Sequence, residues 1–305
     1  MDPNLNDLFD LTTVKIPSAT PGWNLDAWQY IPTKGAKPCP VIVMAHGLSC
    51  NKLMSLAPYA ETFAALGHAC VVFDYRRWGA SDGSPRHCIV VKEQLEDYRT
   101  VVKYCRQQAQ IDPNRVILWG YSFSGGHAIT IASEPELNIL AVIAQCPHPS
   151  LPTNVVMTSG LVKGGLLGIL DWIKQALRLK PIYIPGTALP GKVGMMVGPG
   201  TYQTLMEQFP DRSIYPNEIS ASSAFEILPY KPENKISNVA CPILIIAAED
   251  DVQIPIVDIG RLPAKAQKCE YLVIPGGHFD VFKGQSSYEE LMRAEIEFLE
   301  IYVLL

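Results

Sequence analysis

The sequence lacks long uncharged apolar runs, basic clusters and closely spaced cysteine pairs. No stretch reaches the ~20 apolar residues that a bilayer-spanning helix needs, so a transmembrane segment is not expected. Lys and Arg number 25 against 30 Asp and Glu, and the resulting net charge of −5 argues against nucleic-acid or anionic membrane surfaces as partners. The eight cysteines form no C-x-x-C pair, which predicts reduced, mostly buried thiols instead of a disulfide or zinc framework.

The N-terminal region also lacks the features of a secretory signal. It carries Asp2 and Asp7 and has no apolar run behind a basic start. Together with the cysteine usage, this predicts a cytoplasmic protein. With 48% hydrophobic and 18% charged residues, the 305-residue chain can bury a large core, and its length is compatible with one domain that carries an insertion.

Short runs rich in Val and Ile alternate with helical segments, which is typical of an α/β protein with a parallel sheet covered on both faces. Eight strands are predicted, at residues 11–16, 25–31, 41–45, 69–74, 116–119, 140–145, 243–247 and 271–274. The first two flank the turn residues Pro21 and Gly22 and are expected to form an antiparallel hairpin. Helices are predicted at 57–66, 92–108, 123–133 and 287–302.

The alternation stops between Pro147 and Ala240. Such a gap between two strands of one sheet predicts an inserted helical cap over residues 148–240, within a core formed by 1–147 and 241–305. Within it, residues 160–179 are rich in Gly and Leu and contain Trp172, and helices are expected at 202–209 and 222–228. The Leu, Met and Trp content of the insertion fits either an acyl-binding pocket or simple packing of the cap on the sheet.

Two serines match a nucleophile pattern, and their context separates them. The strict G-x-S-x-G match contains Ser81, and the near match at 120–124 contains Ser122. A nucleophile elbow needs a strand running directly into a tight turn and a helix starting at once. Ser122 has both, whereas Ser81 is separated from its strand by Arg76-Arg77-Trp78 and is followed by a Gly-Ser-Pro turn. The sequence therefore predicts Ser122 as the nucleophile and Ser81 as a loop residue.

A serine nucleophile needs an imidazole base and an acid that orients it. His278 follows the last predicted strand behind a glycine pair, and Asp251 follows the strand before it. The order Ser122, Asp251, His278 is that of α/β-hydrolase triads. Asp250 competes for the acid role, and the position of Pro255 favours Asp251.

An oxyanion hole needs two backbone N–H donors. Phe123, directly after the nucleophile, is predicted to supply one, and Leu48, in the loop after the third strand, the other. His46 is then expected to be structural. His127 is expected to pack within the elbow helix, and His148 either lies in a rigid turn or lines the pocket.

With these motifs in place, the chain resembles the α/β-hydrolase superfamily over nearly its whole length. The matching features are His46-Gly47, the loop at 74–83, the elbow, residues 248–255 and Gly277-His278. The chain is most similar to the branch of dienelactone-hydrolase-like and X-prolyl-peptidase-like enzymes, and within it to hydrolases and polyketide (acyl) transferases of fungal natural-product pathways. It departs from the family pattern at Ser124, where Gly is common.

The residues and the resemblance predict a serine hydrolase or acyltransferase that uses no cofactor and no metal. Ser122 would attack an ester or thioester carbonyl, His278 would move the proton, and Asp251 would orient His278. The expected substrate is an apolar, polyketide-like acyl compound of natural-product metabolism, either free or held on a carrier protein. Two alternatives stay open: the triad acts as a base for cyclisation or C–C cleavage, or the scaffold is inactive and binds a ligand. Neither nucleic acid nor a membrane is expected as a partner, and the oligomeric state is undetermined.

Overall fold

A computed structural model describes residues 7–303 of the chain. Residues 1–6, on which the prediction about the N-terminus partly rests, lie outside the described residues. The strands are β1 (Phe9–Pro17), β2 (Asn24–Pro32), β3 (Cys39–Ala45), β4 (Ala69–Phe73), β5 (Ile111–Tyr121), β6 (Ala141–Gln145), β7 (Tyr183–Ile184), β8 (Ile219–Ser220), β9 (Ile243–Ala248) and β10 (Cys269–Ile274). The helices are α1 (Ala57–Ala65), α2 (Val91–Cys105), α3 (Phe123–Ala132), α4 (Ser159–Ala176), α5 (Thr201–Gln208), α6 (Ala224–Ile227), α7 (Ile256–Ile259) and α8 (Tyr288–Tyr302).

Eight of the strands form one sheet, in the order β1-β2-β4-β3-β5-β6-β9-β10. β2 pairs antiparallel with β1 and with β4, and the remaining pairs are parallel. The predicted eight-stranded, mostly parallel α/β sheet is therefore confirmed. Each predicted strand is present, with ends that differ by a few residues.

The centre of the sheet is buried on both faces. Every residue of β3, β6 and β9 is buried, which explains why these strands are continuous apolar runs without alternation. All ten residues of α3 are buried as well, so this helix lies inside the molecule against β5 and β6. Because parallel strands end at a common edge, the loops after β3, β5, β9 and β10 all meet there.

The chain between β6 and β9 forms no strand of the main sheet. It contains α4, α5, α6 and the antiparallel pair β7–β8, whose two-residue strands are too short to give a sequence pattern. The predicted helix at 202–209 corresponds to α5, and most of the Gly- and Leu-rich segment at 160–179 forms α4. The predicted helix at 222–228 is instead a 3₁₀ turn, Ala221–Ser223, followed by α6. The hydroxyl of Ser223 accepts a hydrogen bond from the Ile89 amide at 3.0 Å, so this turn is tied to the core.

All eight cysteines are free thiols, and six of them are buried. No helix within residues 7–303 is both long enough and apolar enough to cross a bilayer.

Candidate active site

Ser122 occupies a strained turn between β5 and α3. Its backbone angles are φ 57° and ψ −116°, a conformation that non-glycine residues rarely adopt outside functional turns. Its amide donates a hydrogen bond to the Gln145 carbonyl at 2.8 Å, and its carbonyl accepts one from the His148 amide at 2.9 Å. A Cβ at Gly120 would clash with the backbone of Ser124, so the tight turn requires glycine there. The elbow predicted from the strand–turn–helix context is present.

The structure brings Ser122, His278 and Asp251 together. Nε2 of His278 lies 2.9 Å from Ser122 Oγ, and Nδ1 lies 2.5 Å from Asp251 Oδ2. All three side chains are buried, with exposed fractions of 7%, 3% and 5% for Ser122, His278 and Asp251. With the proton on Nδ1 facing the carboxylate, Nε2 has a free lone pair for the serine proton.

The two candidate acids occupy different environments. Oδ1 of Asp251 accepts hydrogen bonds from the amides of Gln253 and Ile254, both at 2.8 Å, which leaves Oδ2 for the imidazole. The side chain of Asp250 is exposed, and its backbone amide donates to the carbonyl of Gly276. The geometry therefore favours Asp251 as the partner of the histidine.

Ser81 serves a structural purpose. Its hydroxyl donates to the Asp74 carbonyl at 2.6 Å and accepts from the Asp26 amide at 2.7 Å. Both contacts are buried, and they join β2 to the loop after β4. Ser81 is thus a loop crosslink that happens to fit the strict sequence pattern.

The two predicted oxyanion donors lie on the loops that flank the nucleophile. Phe123 is the first residue of α3, and Leu48 lies in the loop after β3, next to Gly47. A Cβ at Gly47 would lie 3.2 Å from the Cβ of Ser122, so this loop passes directly over the nucleophile. Within residues 7–303, neither the Leu48 amide nor the Phe123 amide donates to another protein group. Both donors are thus available to a ligand.

Three other histidines lie near the site without touching the Ser122 side chain. Nδ1 of His46 lies 3.0 Å from the Gly47 carbonyl oxygen, and burial lowers the pKa of its imidazole. His127 binds the hydroxyl of Tyr230 at 2.8 Å, and burial lowers its pKa to about 3. His148 stacks on Tyr230, and burial lowers its pKa to about 4. These environments favour neutral, structural imidazoles.

Two buried groups around the site were not singled out from the sequence. Lys52 places its ammonium 2.5 Å from Asp26 and 2.6 Å from Asp74, which anchors the loop that carries Leu48. Lys and Asp at such spacings are common on protein surfaces, so no sequence pattern predicts this buried cluster. The second group is the thiol of Cys146, which lies within 4.8 Å of the Asp251 and His278 ligand atoms.

Comparisons with known proteins place the chain among relatives. The profile of the family described as X-Pro dipeptidyl-peptidase (S15 family) matches residues 22–280. The chain is 36% identical over 279 residues to the quorum-quenching protein AidA of Acinetobacter baumannii (strain MDR-ZJ06), which covers 90% of each chain. It is 26% identical to the polyketide transferase af380 of Aspergillus fumigatus, with 91% of this chain and 94% of the relative covered.

A solved structure shows the same fold. The crystal structure of the alpha/beta hydrolase GrgF from Penicillium sp. sh18 superposes with a TM-score of 0.81 at 21% identity. The superposition covers 96% of this chain and 99% of that one.

Proposed function

This chain belongs to the X-Pro dipeptidyl-peptidase (S15) family of serine hydrolase-type enzymes, and on that premise we propose that Ser122, His278 and Asp251 are its catalytic triad. The observation that carries the proposal is the position of His278, whose two nitrogens lie 2.5 Å from Asp251 and 2.9 Å from Ser122. A fixed tautomer with a free Nε2 is what a serine hydroxyl needs to become a nucleophile.

The reaction follows from these contacts. Ser122 Oγ attacks the acyl carbonyl while Nε2 of His278 takes its proton, and the Leu48 and Phe123 amides hold the oxygen that becomes negative. The imidazolium, stabilised by Asp251, then gives the proton to the leaving alcohol or thiol, which departs and leaves an acyl-enzyme. Water or an acceptor alcohol resolves the acyl-enzyme by the reverse sequence of proton transfers.

The proposed substrate is an apolar acyl ester or thioester. Aromatic rings surround the base: Phe279 and Tyr121 each lie 5.1 Å, between ring centroids, from His278. These rings favour an apolar acyl group beside the triad. The similarity to a fungal polyketide transferase supports an acyl chain of that type, either free or held on a carrier protein.

The insertion, proposed as a cap over residues 148–240, would control access to the site. It contacts both loops that border the triad: Asn51 donates to the Ile214 carbonyl at 2.5 Å, and the rings of Phe209 and Phe282 lie 6.0 Å apart. Ser122 is only 7% exposed, and on this proposal a substrate reaches it when these contacts move. In such a closed site an acyl-enzyme is shielded from water, which favours transfer to an acceptor.

Mass spectrometry of the intact protein, mixed with acyl thioesters of increasing chain length, tests the proposal. The expected result is a covalent acyl adduct on the native chain that Ser122→Ala abolishes. Turnover that Ser122→Ala retains, with no adduct on either protein, would contradict a nucleophilic Ser122 and favour base catalysis of cyclisation or C–C cleavage. Absence of both adduct and turnover, with esters as well as thioesters, would indicate a ligand-binding scaffold.

A further inference from the structure

Helix α4 packs on the rest of the protein through glycine and polar residues. Its buried residues are Gly160, Gly168 and Asp171. A Cβ at Gly160 would clash with the carbonyl oxygen of Lys192, so glycine lets the two backbones touch. The Asp171 carboxylate accepts a hydrogen bond from the Ile182 amide at 2.7 Å. These contacts determine which face of α4 packs on the rest of the protein.

The outward face of α4 is apolar, which reverses the usual pattern of a surface helix. Val162, Leu166, Ile169, Ile173 and Leu177 form one ridge along it, and they are 44–66% exposed. Among residues 7–303, 25 large apolar side chains are exposed, and 12 of them lie between residues 155 and 179. This concentration marks an interaction surface, because scattered exposed apolar residues are normal but a contiguous patch is not.

The size and spacing of the ridge fit a second helix. Twelve half-exposed apolar side chains present on the order of 1,000 Å², more than the largest patch on most monomers. Two such surfaces in contact would bury roughly 2,000 Å², the lower end of the range of obligate homodimers. The successive spacings from Val162 to Ile173 are four, three and four residues, which is the seam spacing of paired helices.

We propose that the α4 ridge is the interface with a second copy of this chain. A two-fold contact places the same surface on both partners, so the midpoint of the ridge, Ile169, would meet its own counterpart. Lys163 and Lys174 lie beside the ridge, and long side chains there keep their charges in water when the ridge is buried. Lys163, Lys174, Arg178 and Lys180 make the border of the patch basic, so an anionic bilayer is tested below as the competing occupant.

Sedimentation velocity of the full chain tests the interface. The native chain is expected to sediment as a dimer at micromolar concentration. The double variant Ile169→Glu/Ile173→Glu should sediment as a monomer, and Val257→Glu, at a more exposed apolar position outside the ridge, should stay dimeric. A native monomer at ~100 μM, or a ridge variant that stays dimeric, would overturn the proposal. So would a native monomer that co-sediments with vesicles of phosphatidylcholine and phosphatidylglycerol at 7:3.

Cross-linking keeps the proposal testable if the double variant fails to fold. Ile169→Cys should form an intermolecular disulfide under mild oxidation, because the two-fold brings residue 169 of both copies together. Val257→Cys is the matched control and should remain monomeric on a non-reducing gel. Equal cross-linking of the two variants would place the interface elsewhere.

Discussion

The hydroxyls of Tyr75 and Ser124 lie 2.6 Å apart, fully buried behind the nucleophile elbow. Ser124 also donates to the carbonyl of His46, and a hydroxyl has one proton, so the Tyr75 hydroxyl is the donor to Ser124. These hydrogen bonds join helix α3 to the loop after β4 and to the loop after β3, which continues into Gly47 and Leu48. Serine at the position where the family commonly has glycine thus holds the oxyanion loop in place.

Replacing Ser124 by alanine should therefore impair catalysis without removing the nucleophile. The His46 carbonyl would lose a buried partner, which costs about 1–3 kcal/mol of stability, and the Leu48 amide would be less well positioned. We expect kcat to fall by about tenfold with little change in KM, because the Leu48 amide stabilises the transition state more than the bound substrate. Steady-state kinetics with Tyr75→Phe as the comparison checks this, because Tyr75→Phe keeps the Ser124–His46 bond and should be milder. A larger fall in kcat in Tyr75→Phe than in Ser124→Ala would contradict this role of Ser124.

The two adjacent aspartates should differ sharply in importance. Asp251→Asn would mis-set the imidazole tautomer and should lower kcat on the order of 10³-fold or more. Asp250→Asn changes an exposed side chain and should stay close to the native rate. Rates measured on one activated ester suffice, and the reverse ranking would transfer the acid role to Asp250.

Loosening the cap should change how the acyl-enzyme is resolved. Phe209→Leu weakens the ring contact with Phe282 and should admit water, which raises the ratio of hydrolysis to alcohol transfer several-fold. Product partition is measured by chromatography at a fixed alcohol concentration. Ile129→Val, in the buried elbow helix, serves as a control that lowers stability without touching the cap. A partition ratio that shifts equally in both variants would show that access is not gated at this contact.

A buried acid beneath the site should make stability depend on pH. Glu295 accepts hydrogen bonds from Gln145 at 2.6 Å and Trp119 at 3.2 Å, and burial raises its pKa from 4.5 to about 8. A raised pKa in the folded state adds stability that is full below about pH 4.5 and is lost as pH rises through about 8. Glu295→Gln should flatten this dependence. The free energy of unfolding of the variant, relative to that of the native protein, should therefore rise between pH 5 and pH 8.5.

Urea unfolding at those two pH values measures the effect. The exposed Glu297→Gln on the same helix is the control and should leave the pH dependence unchanged. If Glu295→Gln keeps the native slope, Glu295 is not the group that titrates.

The sheet could be predicted because its central strands are buried on both faces and appear as continuous apolar runs. Ser122, with its strand before and helix after, is found by the same local reasoning, whereas the strict pattern alone selects Ser81. The bond between Tyr75 and Ser124 could not be predicted, because it joins residues 49 positions apart whose contact depends on the folded loops.

The sequence likewise does not show which face of α4 packs on the rest of the protein. Trp172 was expected on an apolar face that lines the pocket or packs the cap, yet it is 61% exposed on α4. Periodicity shows that a helix has an apolar side, but it does not show which side meets the protein. Here Gly160, Gly168 and Asp171 decide it, because the two glycines allow close contact and the Asp171 carboxylate accepts a hydrogen bond from the Ile182 amide.

The nucleophile is tested most directly by labelling with a serine-directed fluorophosphonate, followed by peptide mass spectrometry. The label should be found on the peptide that contains Ser122, should be lost in Ser122→Ala, and should persist in Ser81→Ala. A label that survives Ser122→Ala and disappears in Ser81→Ala would contradict the assignment of Ser122 and, with it, the proposed triad.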